Sequence, residues 1–466
     1  QRSNEISEEI MDMNQVHTIY FIGVGGIGMS EHARYFVAQN KVVMGYDKTP
    51  SPLTNRLEKE GVIITFDTDL NPIKDLSPAN TLVIYTPAVK VGNAQLDFFQ
   101  TNGFELLKRS QLLGLISNQY KTLAVAGTHG KTTTSCLLAY VLNQSTLNIN
   151  AFLGGISRDF DSNLVLNDNS EYFVTEADEY DRSFLQLSPD IAIITSLDAD
   201  HLDIYGTPDE MVKNYQDFVR KIKPGGTLIT KAAIAPILSI RDDIQVLTYG
   251  IDGDEDYMAM AVKVANGKYH FDVLTSEGSY SNLSLGLPGR HNVDNAVSVT
   301  AIAHLVGLSN QEIKDGLASF KGVHRRFDVH FASDKHVYID DYAHHPSEIN
   351  ACVASVRELY PNRKLTAVFQ PHLFSRTRDF MDEFADSLSQ VDELILLDIY
   401  PAREEPIEGI DSAALLEKIA LKSKETGHKE ELLALLKNKE IDILLTIGAG
   451  DIDRLVEPIN NWIKGG

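Results

Sequence analysis

Short apolar runs rich in β-branched residues alternate along the chain with stretches whose apolar residues recur every three or four positions. Unbroken or period-two apolar runs predict strands, and a 3.6-residue stripe predicts helices. Regular alternation of the two predicts parallel α/β layers. HTIYFIGV reads as a first strand, followed by glycines and a helix over Met29–Gln39. KVVMGYD, GVIITF and NTLVIYT complete one doubly wound unit that ends near Tyr120. A second unit opens with KTLAVAG. Its strands EYFVTEAD and IAIITSLDAD stop at acidic residues, Thr227–Leu285 is strand-like and rich in turns, and LPGRHN turns into a helix reaching about Leu305. After KGVHRRF a third unit begins, in which HVYIDDYAHHP, KLTAVFQPH, ELILLDIYPA and DILLTIGAGD read as buried strands that each end in a polar cluster. The expected architecture is α/β in three domains, over residues 1–120, 121–325 and 326–466. Open α/β sheets bind ligands at the carboxyl ends of their strands, so the polar clusters there are where chemistry is expected.

Composition narrows the setting. With 466 residues the chain has room for about three domains of ordinary size. Hydrophobic residues make up 43% and charged residues 23%, an ordinary globular balance. Against 42 basic residues stand 65 acidic ones, a formal charge of −23. That argues against general nucleic-acid binding and adhesion to anionic membranes, while leaving room for a local phosphate pocket. No apolar run reaches the roughly 18 residues of a membrane span, so no membrane insertion is expected. The two cysteines, Cys136 and Cys352, are too few for a disulfide framework, and a cytoplasmic location is the expectation. Cys136 reads as a small core residue. The polar opening QRSNEISEEIMDMNQ is set aside.

Two glycine loops carry the chemistry. Gly23, Gly25 and Gly28 fit G-x-G-x-x-G between a strand and a helix, with Gly26 and Ile27 inside the loop; Asp47 follows Gly28 by 19 positions at the end of the next strand. Glycines let backbone approach a diphosphate, the helix N-terminus supplies N–H donors, and the acid suits a ribose hydroxyl. NAD and a UDP-sugar satisfy that pattern equally. The second loop, AVAGTHGKTTT, holds Gly127, Thr128, His129, Gly130, Lys131, Thr132 and Thr133. It departs from the usual G-x-x-x-x-G-K-[ST] spelling, since Val125 stands where the first glycine belongs. Its backbone amides can cradle phosphates, Lys131 can reach the β/γ oxygens, and Thr132 can ligate Mg²⁺. Glu176 and His201, each just past a strand end, are candidate further metal ligands; Asp178, Glu179 and Asp181 read equally as a solvated acidic turn. Two phosphate loops and a third α/β domain fit an ATP-driven joining reaction better than a dehydrogenase or a non-catalytic nucleotide-sugar binder.

FIGVGGIGMS, GTHGKTTT, EADEYDRSFL, DADHLDIYG, LPGRHNVDNA, GVHRRFD, DDYAHHPSEI, FQPHLFSRTRDF, DIYPAREEPI and GAGDI, in that order, resemble the Mur ligase family from about His17 to the C-terminus. That family spells its ATP loop G-T/S-x-G-K-[ST], which removes the anomaly at Val125. The resemblance implies an N-terminal Rossmann-like UDP-sugar domain, a central P-loop ATPase-like domain and a C-terminal Rossmann-like amino-acid domain. It implies ATP-dependent amide formation in peptidoglycan precursor synthesis. The lactyl carboxylate of UDP-N-acetylmuramate takes the γ-phosphate, and the L-alanine amine attacks the resulting acyl phosphate. The alternative is a murein-recycling ligase that joins a tripeptide to the same nucleotide sugar. ATP is the implied co-substrate and Mg²⁺ (or Mn²⁺) the metal, in a monomer or homodimer.

Residue by residue, the resemblance implies Lys131 and Thr132 at phosphate and metal, with Glu176 and His201 as further ligands. Asn292 and Asn295 fall on the adenine side, Arg326 at the ATP phosphates and Asp341 near the ribose, while the neighbouring Arg325 reads equally as a surface charge. Tyr342, His344 and Arg376 match the alanine-binding motifs, Arg376 suiting the carboxylate. His344 is a candidate catalytic residue for the amine, and His345 beside it competes for the role. Three departures bear on specificity: Leu373 stands where many relatives have arginine, Tyr180 and Arg182 replace a serine and a glycine, and Thr86-Pro87-Ala88 replaces SSA.

Overall fold

A computed structural model describes residues 13–465, apart from residues 88, 90–91, 199–204, 206, 266–267 and 403. Three sheets succeed one another along the chain. The first contains β1 (Thr18–Ile22), β2 (Val42–Tyr46), β3 (Ile63–Thr65), β4 (Thr81–Tyr85) and β5 (Glu105–Lys108), all parallel, in the order β3-β2-β1-β4-β5. All five residues of TIYFI in β1 are buried, as expected for a central parallel strand covered on both faces. The order reverses between β1 and β4, and the glycine loop after β1 opens into that crevice, where doubly wound sheets bind their ligands.

The middle sheet has ten strands: β6 (Lys121–Ala126), β7 (Ile149–Ser157), β8 (Ser162–Val165), β9 (Tyr172–Glu176), β10 (Ile191–Ile194), β11 (Thr227–Thr230), β12 (Gln245–Ile251), β13 (Tyr257–Ala265), β14 (Lys268–Thr275) and β15 (Gly278–Leu285). Their order is β15-β14-β13-β12-β11-β10-β6-β9-β7-β8, so the strand feeding the second loop lies between β10 and β9. The third sheet runs β16-β17-β21-β18-β19-β20, from β16 (Asp328–Ala332), β17 (Val337–Asp341), β18 (Leu365–Phe369), β19 (Glu393–Leu397), β20 (Lys424–Gly427) and β21 (Ile443–Ile447). The strands β5, β7, β8, β16 and β20 are ones that the apolar pattern does not announce. The remaining sheet strands and the helices Ile27–Ala38 and Arg290–Leu305 lie where the periodicity puts them.

The first two domains share a core. Tyr35 and His32, on the helix Ile27–Ala38, pack edge-on against Phe152 of β7 at 5.6 and 4.8 Å between ring centroids. Asn163 Nδ2 donates to Ile27 O (2.8 Å) and Arg34 Nη1 to Ser162 Oγ (2.6 Å), fastening the same helix to β8. The cleft over the first glycine loop is thereby walled by both domains. Cys136 is fully buried on the helix Lys131–Asn143.

Candidate active site

The second loop owes its spelling to the strand before it. Val125 is fully buried inside β6, paired with Ile193 and Glu176 on its two neighbours. The turn therefore starts only at Gly127, with φ +130°, and ends at Gly130, with φ +81°, the cap of the helix Lys131–Asn143. A Cβ on Gly127 would overlap Thr195 Oγ1, so no other residue fits there. Thr195 and Ser196 at the end of β10 buttress the turn. Thr195 Oγ1 donates to His129 O, His129 N donates to Ser196 Oγ (2.8 Å), and Thr128 N donates to Ser196 O (3.2 Å).

Lys131 folds back over this turn, donating to Gly127 O (2.7 Å) and meeting Glu179 at 2.8–2.9 Å. Glu179 is fully buried, which decides between its two readings against the solvated turn. Burial works against the charge on Lys131, but Glu179, Asp178 and Glu176 more than offset it and hold the amine above its ordinary range. Glu176 ends β9 beside Thr132. Burial raises its carboxyl, opposed first by Lys131, and its Oε2 has no hydrogen-bond partner. The two residues approach because Gly154 and Gly155 of β7 carry no side chains. A Cβ on Gly154 would overlap Glu176, and one on Gly155 would lie 2.9 Å from Thr132 Cγ2. One orphaned carboxylate oxygen next to a hydroxyl fits a hard divalent cation, which takes one or two carboxylates together with substrate phosphates. His201 and Ala88 lie outside the described residues, and among the described residues no cluster of three His, Cys, Asp or Glu forms a ready-made metal cage.

Three cavities converge on this centre. The first, about 840 Å³, is lined by Gly23, Gly25, Gly26, Ile27, Gly28 and Asp47, and runs past Thr86, Arg109 and Glu31 to Glu176 and Asp178. Gly25 N donates to Asp47 Oδ2 (2.7 Å), so the acid also braces the loop. Arg109 stands over the loop, and a Cβ on Gly28 would lie 3.0 Å from its Nη1. The second cavity, about 260 Å³, brings together Gly130, Thr132, Thr133, Asn292, Asn295, Arg326 and Asp341 with Lys231, Tyr249 and Leu287. Asn292 and Asn295 are bonded to each other (3.2 Å), and Asn292 Nδ2 also donates to Pro288 O (2.6 Å). Asp341 accepts from Phe327 N and Ala343 N, both at 2.7 Å, and burial lifts its carboxyl to about 6 against the pull of Arg326.

The third cavity, about 270 Å³, joins Thr128, Lys131, Thr132 and Glu176 to Tyr342, His344, Arg376, His372, Leu373 and Tyr180. It shares Glu176 and Asp178 with the first cavity, and Gly130, Thr132 and Arg326 with the second. The adjacent histidines separate here. His344 lines the cavity and donates Nδ1–H to Tyr342 O (3.1 Å), whereas His345 caps the helix Pro346–Leu359 and packs on Phe380. Arg325 is no surface charge: its Nε donates to Asp340 (3.1 Å) and its Nη2 to Gly448 O (2.6 Å). That frees Arg326 to reach the cavities, its guanidinium 4.9 Å from the Tyr342 ring centroid. Arg182, where a glycine suits, holds φ +58°.

The sequence leaves Glu179 undecided between a functional acid and a solvated turn, and gives no role to Glu348, Arg109 or the Gly154–Gly155 pair. Only Glu348 had a local signal, a capping acid three residues after the helix cap His345.

Residues 18–121 match the Mur ligase family catalytic domain, 125–303 the Mur ligase middle domain, and 325–450 the Mur ligase glutamate ligase domain. A UDP-N-acetylmuramate–L-alanine ligase of Phocaeicola vulgatus is 48% identical over 96% of this chain and 98% of its own length. The corresponding ligase of Porphyromonas gingivalis W83 is 48% identical over 96% and 99%. Among solved structures, the UDP-N-acetylmuramate-alanine ligase MurC of Thermotoga maritima superposes with a TM-score of 0.82 at 26% identity, covering 96% of this chain and all of that one. A murein peptide ligase of Psychrobacter arcticus shares the fold, with a TM-score of 0.70 at 23% identity over 96% and 98%.

Proposed function

The chain belongs to the Mur ligase family, and from that premise we infer that it joins L-alanine to UDP-N-acetylmuramate at the expense of ATP. The product is UDP-N-acetylmuramoyl-L-alanine, with ADP and phosphate. One observation carries the reading: the cavity over the dinucleotide-type loop and the cavity holding Arg376 meet at Glu176, beside the phosphate loop. An amide can form there only if the carboxylate is first given a good leaving group, which is what a γ-phosphate at Lys131 supplies.

Each group then has a part. The amides around Gly23–Gly28 and the Arg109 guanidinium bind the nucleotide diphosphate, leaving the sugar to extend toward Glu176. Gly127–Thr133 cradle the ATP phosphates, Lys131 exchanging Glu179 for phosphate oxygens, while Asn292, Asn295 and Asp341 line the nucleoside end. Arg326 lies between the two cavities and stabilises charge on the transferring phosphoryl group. Thr132, Glu176 and His201 would hold Mg²⁺, which screens phosphate charge and polarises the transferred group. Arg376 takes the alanine carboxylate. With Nδ1–H donated to Tyr342 O, the deprotonated form of His344 carries its basic lone pair on Nε2, suited to accept a proton from the attacking amine. Leu373 and Tyr180 line a cavity of only about 270 Å³, which suits a small amino acid. Residues 1–120, 121–325 and 326–466 are the proposed extents of the sugar, ATP and amino-acid domains.

Phosphate release with ATP, Mg²⁺ and UDP-N-acetylmuramate tests the reading. Release should require L-alanine. Release with the tripeptide L-Ala-D-Glu-diaminopimelate but none with L-alanine would overturn it.

A further inference from the structure

We propose that Glu348 is a positioning residue that fastens the C-terminal domain to the ATP loop and so sets the register of the amino-acid site. The proposal rests on the functional reading above. Oε1 of Glu348 accepts from Nδ1 of His129, in the phosphate loop, at 3.2 Å. Oε2 accepts the backbone N–H groups of His344 (2.9 Å) and His345 (3.3 Å). Arg326, from the linker between the two domains, brings Nη1 to 3.9 Å from Oε1. One carboxylate thus touches the loop that grips phosphate, the arginine that reaches between cavities and the backbone that carries His344.

A helix-capping role explains only half of this. Glu348 is the third residue of the helix Pro346–Leu359 and completes a capping box with His345, which uses Oε2 alone. Oε1 points across the domain boundary to a loop histidine 219 positions away in sequence. The same helical turn holds His129 from its other side: Nε2 lies 3.0 Å from Ser347 Oγ, and the ring packs 5.0 Å from that of His345. Burial disfavours charge on Glu348, yet His344, His129 and Arg326 hold its carboxyl well below the ordinary range. The ion is therefore anchored by both domains. It lines both the second and third cavities and is absent from the lining of the first, so its influence should fall on ATP and amino acid and spare the sugar nucleotide.

Glu348→Gln separates capping from fastening. Its amide oxygen still accepts from the capped N–H groups, while the NH₂ turned toward His129 removes the acceptor and the charge. The expected result is an unfolding midpoint within about 2 °C of the parent, an unchanged KM for UDP-N-acetylmuramate, and kcat/KM for L-alanine reduced at least about tenfold. Combined with His129→Ala, the loss should not multiply, because both substitutions cut one contact. Equal losses for all three substrates, or losses that multiply, would overturn the proposal. A second readout does not depend on turnover. Cys136 and Cys352 are buried, so cysteines placed at exposed Asp168 and Lys418 can carry dyes selectively. With a non-hydrolysable ATP analogue, the Glu348→Gln protein should show a longer or broader interdomain distance than the parent. Identical distributions would sink the proposal, whereas a parent that releases no phosphate with L-alanine would sink only the functional reading.

Discussion

Gly154 offers the sharpest test of how the centre is assembled, since its contribution is the absence of a side chain. A Cβ there would overlap Glu176 Oε2, and even the farther oxygen, Oε1, would lie at 2.7 Å, inside the 3.4 Å at which ordinary contact begins. In Gly154→Ala the carboxylate must therefore withdraw by about 1 Å or more, and a displacement of that size at a reacting centre costs on the order of 10²-fold in rate, about 2.7 kcal/mol of barrier. The strand itself tolerates the change: φ at Gly154 is not in the left-handed region, and alanine is no worse than glycine in a strand. We expect kcat for L-alanine-dependent phosphate release to fall about a hundredfold. Affinity for an ATP analogue measured by calorimetry without metal should change less than about threefold, because the phosphate loop and nucleoside cavity are untouched. A kcat within a factor of about three of the parent would refute the placement of Glu176 at the reacting centre.

Further outcomes follow from the same contacts. Lys131→Ala should abolish phosphate release and, by removing the cation set against buried Glu179, destabilise the fold by roughly 3 kcal/mol; adding Glu179→Gln should restore the unfolding midpoint but not activity. Arg182→Gly should raise stability by roughly 0.5–1 kcal/mol in denaturant titration, since relief of the left-handed backbone at φ +58° exceeds the added entropy of an unfolded glycine. Burial raises Asp341 from the ordinary 3.8 to about 6, so between those values the folded chain binds a proton that the unfolded chain releases. This group favours the folded state below about pH 4, and that contribution is lost as pH rises through about 6. The stability of the parent relative to Asp341→Asn should accordingly fall by up to about 3 kcal/mol between pH 4 and 7.

Much of this site is legible in the chain because its parts are local. A loop that binds phosphate needs a strand, glycines and a helix start within a dozen residues, so both glycine loops declare themselves, as do the polar strand ends that carry Glu176 and Asp341. What escapes is either non-local or defined by absence. The partner of Lys131 lies 48 positions downstream in a run, Asp178-Glu179-Tyr180-Asp181, whose composition is that of a solvated turn; only the fold shows Glu179 at zero exposure. The strand β7 hides because Gly154 and Gly155 interrupt its apolar pattern, and those two glycines are what let Glu176 and Thr132 meet. The adjacent pairs Arg325/Arg326 and His344/His345 cannot be ranked from sequence, since one residue of rotation along the backbone decides which side chain faces the cavity. Arg325 and Phe327, both at positive φ (+62° and +48°), show how sharply the linker is wound to aim Arg326.

The wall common to the sugar cleft and the amino-acid cavity also governs thrift. On the proposed chemistry, an activated acid formed beside Glu176 and Asp178 would already be at the mouth of the cavity that is to receive the amine, so its fate would be a race between that amine and any water admitted at the junction. The outcome of the race is a number: amide bonds made per nucleotide consumed. A junction lined by Tyr180, Leu373 and Arg326 should keep that ratio near unity to the extent that these side chains exclude water, and substitutions that widen it should show first as idle nucleotide turnover, before any fall in the speed of joining.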